Sequence, residues 1–331
     1  MFDIAVLFSR VLLLVLLMLP TALMKKSGLV KDGFGVSLSN YVLYVGTPGM
    51  IILALYRDFD KTIALRSLAV VGFFLVFHLV FFAVSLLFFR VKKRTHDEKE
   101  LVRPDEGEDP DEAKRRRALR FGTIFTNAGY MGLPLVLGLL GSEAAIYVSV
   151  YVVCFNILVW TVGCYVFTGD VKYMSLKKAF LNPASIAIMV GLVFFITPIN
   201  NYLPAVSEEF LSILNSLVAP LSMGVIGLHL FEIDWKRIWR DLVLYRYIVV
   251  RMLLLPALIF CILKLAKTVG YYDEIVFNTL FICGSTPCAA VTVMYAERFD
   301  GDAPYASTMV CVSTLLAVGT MPLVALLLYL L

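Results

Sequence analysis

Long apolar runs alternate with short polar connectors along almost the whole chain. Ten runs of spanning length can be read, at 4–24, 35–56, 62–90, 119–140, 143–168, 183–199, 206–231, 238–266, 272–296 and 304–330. A helix crosses the hydrocarbon core with about 20 consecutive apolar residues. Each run therefore predicts a transmembrane helix, and no stretch is left over for a soluble catalytic domain. Composition agrees, with 60% hydrophobic and 16% charged residues and a mean hydropathy of +0.86. Those values lie outside the soluble globular class. The expected fold class is an all-α membrane protein.

Two of the runs are interrupted at matching places. The fourth contains Thr126-Asn127-Ala128-Gly129-Tyr130-Met131-Gly132-Leu133-Pro134-Leu135, and the ninth contains Cys283-Gly284-Ser285-Thr286-Pro287-Cys288. A broken helix at bilayer depth frees backbone groups, which is tolerated only against protein or a water-filled cavity. Paired breaks in corresponding halves of a chain point to a transporter's binding site.

The polar connectors set the organisation. With the N-terminus outside, the inner connectors collect Lys25, Lys26, Lys31, the Arg90–Arg120 run, Lys172, Lys177, Lys178, Lys236, Arg237, Arg240 and Arg298. The outer side holds only Arg10, Arg57, Lys61, Arg66, Lys264 and Lys267. Basic residues concentrate on the cytoplasmic side, so both termini are expected outside a cell membrane. The first run has no basic n-region, carries Arg10 within it, and has no small-x-small cleavage site before Lys25-Lys26. It is expected to remain as a spanning helix. The net charge of +4 reflects helix-end residues facing anionic lipid and calls for no nucleic-acid partner. Residues 91–118 are densely charged, with almost no apolar content, and are expected to form a flexible cytosolic linker.

A weak internal repeat runs through this plan. Thr47-Pro48 in the second run matches Ala219-Pro220 in the seventh, and the fourth and ninth runs carry Pro134 and Pro287. Five spans per half is odd, so the second half enters the membrane upside down, as a 5+5 inverted repeat. Helices 1–3 then fill 1–90, the linker 91–118, helices 4–5 fill 119–168, a cytosolic loop fills 169–182, and helices 6–10 fill 183–331.

The breaks also suggest the chemistry. Proline removes an N–H and crowds the carbonyl at i−4, so Pro134 frees the carbonyl of Tyr130 and Pro287 that of Cys283. Gly129, Gly132 and Gly284 allow non-helical dihedrals and close backbone approach. If the two breaks meet, two half-helix N-termini point into one space, each carrying about half a positive charge. That is an anion site built largely without cationic side chains. Asn127 can donate to a carboxylate, and Ser285 and Thr286 can supply opposing hydroxyls.

What is missing narrows the mechanism. No Asp or Glu falls deep in a run, and carriers driven by protons or sodium usually hold such a carboxylate in the membrane. His78 and His229 are expected to be packed or interfacial residues. Arg246 and Arg251, in the eighth run, are expected to snorkel to the cytosolic interface. The six cysteines lie in apolar runs without C-x-x-C pairing, so neither a disulfide framework nor a metal site is expected.

The run Asn127-Ala128-Gly129-Tyr130-Met131-Gly132-Leu133-Pro134-Leu135 resembles the N-x-x-x-x-G-[LI]-P-L signature of the auxin efflux carrier family. That family includes plant PIN proteins and bacterial permeases for malate and malonate. The resemblance extends to Leu181-Asn182-Pro183-Ala184, to Pro220, and to Pro287 with the following Val291-Thr292-Val293-Met294-Tyr295-Ala296-Glu297-Arg298-Phe299. It implies ten helices as a 5+5 inverted repeat with crossed, proline-broken helices four and nine. It also implies a homodimer and an elevator-like movement against a scaffold built around helices two and seven. Asn127 takes the family role of contacting the substrate carboxylate. Plant members carry Gln after the helix-nine proline where this chain has Cys288, which favours a bacterial-type member over a carrier of indole-3-acetate.

The expected function is a secondary transporter or uniporter of a small organic anion, with no cofactor and no enzymatic activity. Asn127, Gly129, Tyr130, Ser285, Thr286 and Cys288 are the substrate-site candidates, and Gly132, Pro134, Gly284 and Pro287 form the breaks. The alternatives are a sodium- or proton-coupled symporter, and a membrane ligand sensor signalling through 91–118.

Overall fold

The computed structural model describes residues 3–31, 33–89, 109–233 and 238–331. Among them, eight helical stretches are long and apolar enough to cross a membrane. These are α1 (Ile4–Lys26), α2 (Phe34–Leu55), α3 (Lys61–Phe88), α6 (Ser142–Thr168), α7 (Val171–Ile196), α8 (Val206–Gly227), α9 (Leu242–Thr268) and α12 (Ala303–Leu330). The fourth and ninth runs are each split in two. The fourth gives α4 (Pro110–Ile124) and α5 (Ala128–Leu140), and the ninth gives α10 (Glu274–Ser285) and α11 (Val291–Arg298). Within α7, Val171–Phe180 forms two short turns and the continuous helix is Pro183–Ile196, so the expected 169–182 loop is partly helical.

Local sequence explains most helix starts. The Asp60 carboxylate accepts the Thr62 and Ile63 N–H groups at the head of α3, and these bonds hold its pKa below the usual aspartate value. Asp273 and Asp302 cap α10 and α12 in the same way. Three helices widen by one π-turn in a shared context: Val42–Gly46, Ala128–Gly132 and Val250–Leu254 each precede Pro48, Pro134 or Pro256 at the second position of the following helix. Proline offers no N–H to the carbonyl behind it, and the extra residue lets the helix pass the ring.

The α4 helix corrects the linker boundary. It begins at Pro110 rather than after residue 118, with Asp109 accepting the Asp111 N–H at 2.9 Å and two acids in its first turn. Its basic residues are engaged: Lys114 pairs with Asp300 at 3.0 Å and Arg115 with Asp302 at 2.9 Å. Composition read as disorder here because the charges face partners distant in sequence. Residues 91–108 of the expected linker lie outside the described residues.

The α2 helix packs against both α7 and α8, α1 lies along α12, and α3 packs on α4 and α6. Leu68, Leu75 and Leu79 of α3 are among many large apolar side chains left exposed, as a lipid-facing surface requires. The two broken helices are buried where they break: all of α10 from Val276 to Ser285 is buried, as are Phe121 through Ala128.

Candidate functional site

The two breaks run antiparallel beside each other. Thr126 and Cys288 form an isolated antiparallel bridge. The Asn127 N–H donates to the Pro287 carbonyl at 3.0 Å, and the Ala289 N–H donates to the Phe125 carbonyl at 3.2 Å. Backbone groups lost from two helical ladders thereby satisfy each other. Gly122, just before the first break, permits this approach. A Cβ there would lie 2.8 Å from Met309 Cε and Tyr247 Oη and 2.9 Å from Cys288 Sγ.

The first break is at Phe125–Asn127, upstream of its proline. Pro134 and Gly132 belong to the helix that resumes after it, where the π-turn absorbs the proline ring. The carbonyl that Pro134 strands, that of Tyr130, accepts from Ser222 Oγ of α8 at 3.4 Å. Pro287 does lie in its break, and the Cys283 carbonyl accepts from Thr286 Oγ1 at 2.7 Å.

A cavity of about 940 Å³ adjoins the breaks. Thr126, Asn127, Gly129 and Tyr130 line it at the head of α5, and Ala289, Ala290 and Val291 line it at the head of α11. The first N–H groups of α5 have no intrahelical acceptor, whereas Thr292 and Val293 of α11 donate back to the Ala289 and Ala290 carbonyls; at both heads the dipole places partial positive charge. Asn127 is 3% exposed, and its Nδ2 is buried without a hydrogen-bond partner. An unpartnered buried amide costs free energy on the order of 1–3 kcal/mol, which a ligand acceptor would recover. Apolar side chains of α2, α6 and α7 complete much of the wall, including Leu43, Ile52, Phe155 and Ile186.

The structure brings Asn127, Gly129 and Tyr130 together in that wall. Ser285, Thr286 and Cys288 are buried near the breaks but do not line the cavity. Ser285 Oγ has no partner, whereas Cys288 Sγ sits 3.4 Å from Thr292 Oγ1 and its N–H donates to Ser313.

The other end of the cavity was not singled out from sequence. Lys177, Lys178 and Arg298 line it, and the Trp160 ring lies 5.9 Å from Lys178 Nζ and 5.3 Å from the Arg298 guanidinium. In the sequence these residues counted only as topogenic charges at helix ends. The arrangement is an apolar chamber with an amide and two helix N-termini at one end and three cationic side chains at the other. Such a chamber favours an anion with an apolar body.

A second cavity, of about 630 Å³, lies on the other side of α11 and includes Lys25, His229 and Ser307. It shares Tyr130, Ala290, Met294 and Arg298 with the first, so these residues form the partition. His78 is buried away from both, with Nδ1 2.9 Å from the Phe74 carbonyl and its ring stacked on Phe74. Arg251 departs from expectation. It does not snorkel; it is fully buried and directed at the breaks. Among the described residues no group of His, Cys, Asp and Glu is placed to hold a metal ion.

Residues 167–325 match the family model described as membrane transport protein. The match covers the second break, while the Asn127 motif lies before it. An uncharacterized transporter of Methanocaldococcus jannaschii is 25% identical over 315 residues, covering 92% of this chain and 93% of the relative. The resemblance to the auxin efflux carrier family is borne out by these two matches.

Proposed function

We propose that this membrane transport protein carries a small organic anion, a carboxylate of the size of malate or malonate or an auxin-like acid, by alternating access around the paired breaks. The observation that carries the reading is the meeting of the unpartnered Asn127 amide with the N-termini of α5 and α11 at one end of a cavity. The Asn127 Nδ2 and the leading N–H groups of α5, including Gly129 and Tyr130, hold the carboxylate. Ser285, Thr286 and Cys288 lie outside the wall and act on the shape of the break.

In this reading the ten runs form a 5+5 inverted repeat in which α4–α5 crosses α10–α11. The cell membrane holds both termini outside, which turns the basic end of the cavity, at Lys177, Lys178 and Arg298, to the cytosol. The cavity lies between α2 with α7 on one side and the broken helices on the other, a division that supports an elevator movement of the breaks against an α2–α7–α8 scaffold. The carrier works as a homodimer.

The test is ligand binding to purified protein across a panel of mono- and dicarboxylates. Binding that is lost in Asn127→Ala supports the assignment. Equal affinity of a well-folded Asn127→Ala protein for every acid on the panel would refute it.

A further inference from the structure

The C-termini of the two leading half-helices also come together, and a charged side chain lies between them. Arg251 Nη1 donates to the Thr123 carbonyl at the end of α4, at 3.3 Å. Its Nη2 donates to the Gly284 carbonyl at 3.2 Å and to the Thr286 carbonyl, both at the end of α10. Tyr247, one turn earlier on α9, donates to the Gly122 carbonyl at 3.1 Å. The Arg251 side chain has no solvent exposure, and its guanidinium lies 5.7 Å from the Phe81 ring centre.

Nothing acidic balances this charge: among the described residues no Asp or Glu is buried. Its counter-charge is the backbone. Each helix C-terminus carries about half a negative charge, so two converging ends supply roughly one. Carbonyl oxygens at half-helix ends are also the groups by which membrane carriers coordinate sodium. Ligand type, net charge and burial are therefore those of a monovalent-cation site, and the cation in it is covalently attached to α9.

We propose that Arg251 is a built-in cation occupying the place of a coupling ion, so that the paired breaks keep their shape, and substrate binds and moves, without sodium. Its transport consequence rests on the carrier reading; the occupancy of the cation site does not. Arg251 is in this sense a positioning residue. It holds the ends of α4 and α10 and thereby aims the heads of α5 and α11 at the cavity.

The test compares wild type, Arg251→Lys and Arg251→Gln by thermal melting in sodium, potassium and choline chloride at equal ionic strength. Wild type and Arg251→Lys should melt at one temperature each in all three salts. Arg251→Gln should melt lower in choline and recover in sodium or on adding methylguanidinium, a salt response that simple loss of packing would not give. Carboxylate flux into proteoliposomes should follow the same order, with Arg251→Gln several-fold slower in choline than in sodium. A wild type stabilised by sodium, or an Arg251→Gln protein indifferent to every cation, would overturn the proposal. If Arg251→Gln does not fold, Arg251→Lys decides: sodium-dependent melting of that variant contradicts a tethered cation, and salt-independent melting supports it. Salt-independent melting of wild type and Arg251→Lys together with absent carboxylate flux would sink the carrier reading and leave the cation assignment standing.

Discussion

The amide N–H of Asn127 donates to the carbonyl of Pro287 across 3.0 Å, joining the middle of the fourth apolar run to the middle of the ninth. Pro287 cannot donate to a helix itself, and its carbonyl lies in a segment that has left the helix. The bond fixes the Asn127 backbone at the head of α5 and leaves its side-chain amide free for the cavity. Four helix ends are thereby sorted by polarity, with N-termini toward the cavity and C-termini toward Arg251.

Replacing Asn127 tests the carboxylate contact. Asn127→Ala should weaken binding by about 1–3 kcal/mol, roughly 5- to 150-fold in Kd, with melting largely retained. Asn127→Asp should bind more weakly still, because a carboxylate would then face the substrate's own. Calorimetric titration with the best ligand of the panel measures both.

The basic end of the cavity should act on encounter more than on hold. Lys177 and Lys178 are exposed, so neutralising both to Gln should slow anion entry at low salt. The difference should shrink as ionic strength rises and the Debye length falls to about 8 Å at physiological salt. Initial uptake rates across a salt series read this directly, and a salt-independent deficit would contradict it.

Gly122 tests the close approach of the breaks. In Gly122→Ala the new Cβ meets Tyr247 Oη, Met309 Cε and Cys288 Sγ, all within 3.0 Å. Overpacking of this kind costs about 1–3 kcal/mol, and it should lower the melting temperature and impair binding together. Gly319, whose Cβ would meet nothing within 4 Å, is the control.

The start of α4 can be checked by limited proteolysis. Lys114, Arg115, Arg116 and Arg117 lie within a helix that is capped at Asp109 and tied by ion pairs to Asp300 and Asp302. Trypsin should cut these sites far more slowly in the folded protein than in denatured chain. Equal rates would restore the longer linker.

Much of this arrangement was legible in the sequence. Run length marks eight helices that are long and apolar enough to span, and Pro287 marks the second break because it follows directly on the end of α10. The first break lies upstream of its proline signal, because the chain leaves the helix at Phe125, where no glycine or proline stands. A π-turn over Ala128–Gly132 accommodates the proline, and proline alone does not announce it, since Pro220 sits inside α8 with no such turn. Arg251 is not legible for a related reason: an arginine a few turns into an apolar run normally reaches for water, and only the pairing of two distant breaks creates carbonyls enough to hold it. Lys177, Lys178 and Arg298 were seen as charges but not as a site, because three elements must converge to make one.

The most direct test of the central claim is charge movement in proteoliposomes on rapid addition of small carboxylates, with no cation gradient, for wild type and Asn127→Ala. The account predicts a current with at least one acid in the wild type and its loss in Asn127→Ala at the same protein density. A current that persists undiminished in Asn127→Ala, or that arises only with a sodium or pH gradient, would contradict it.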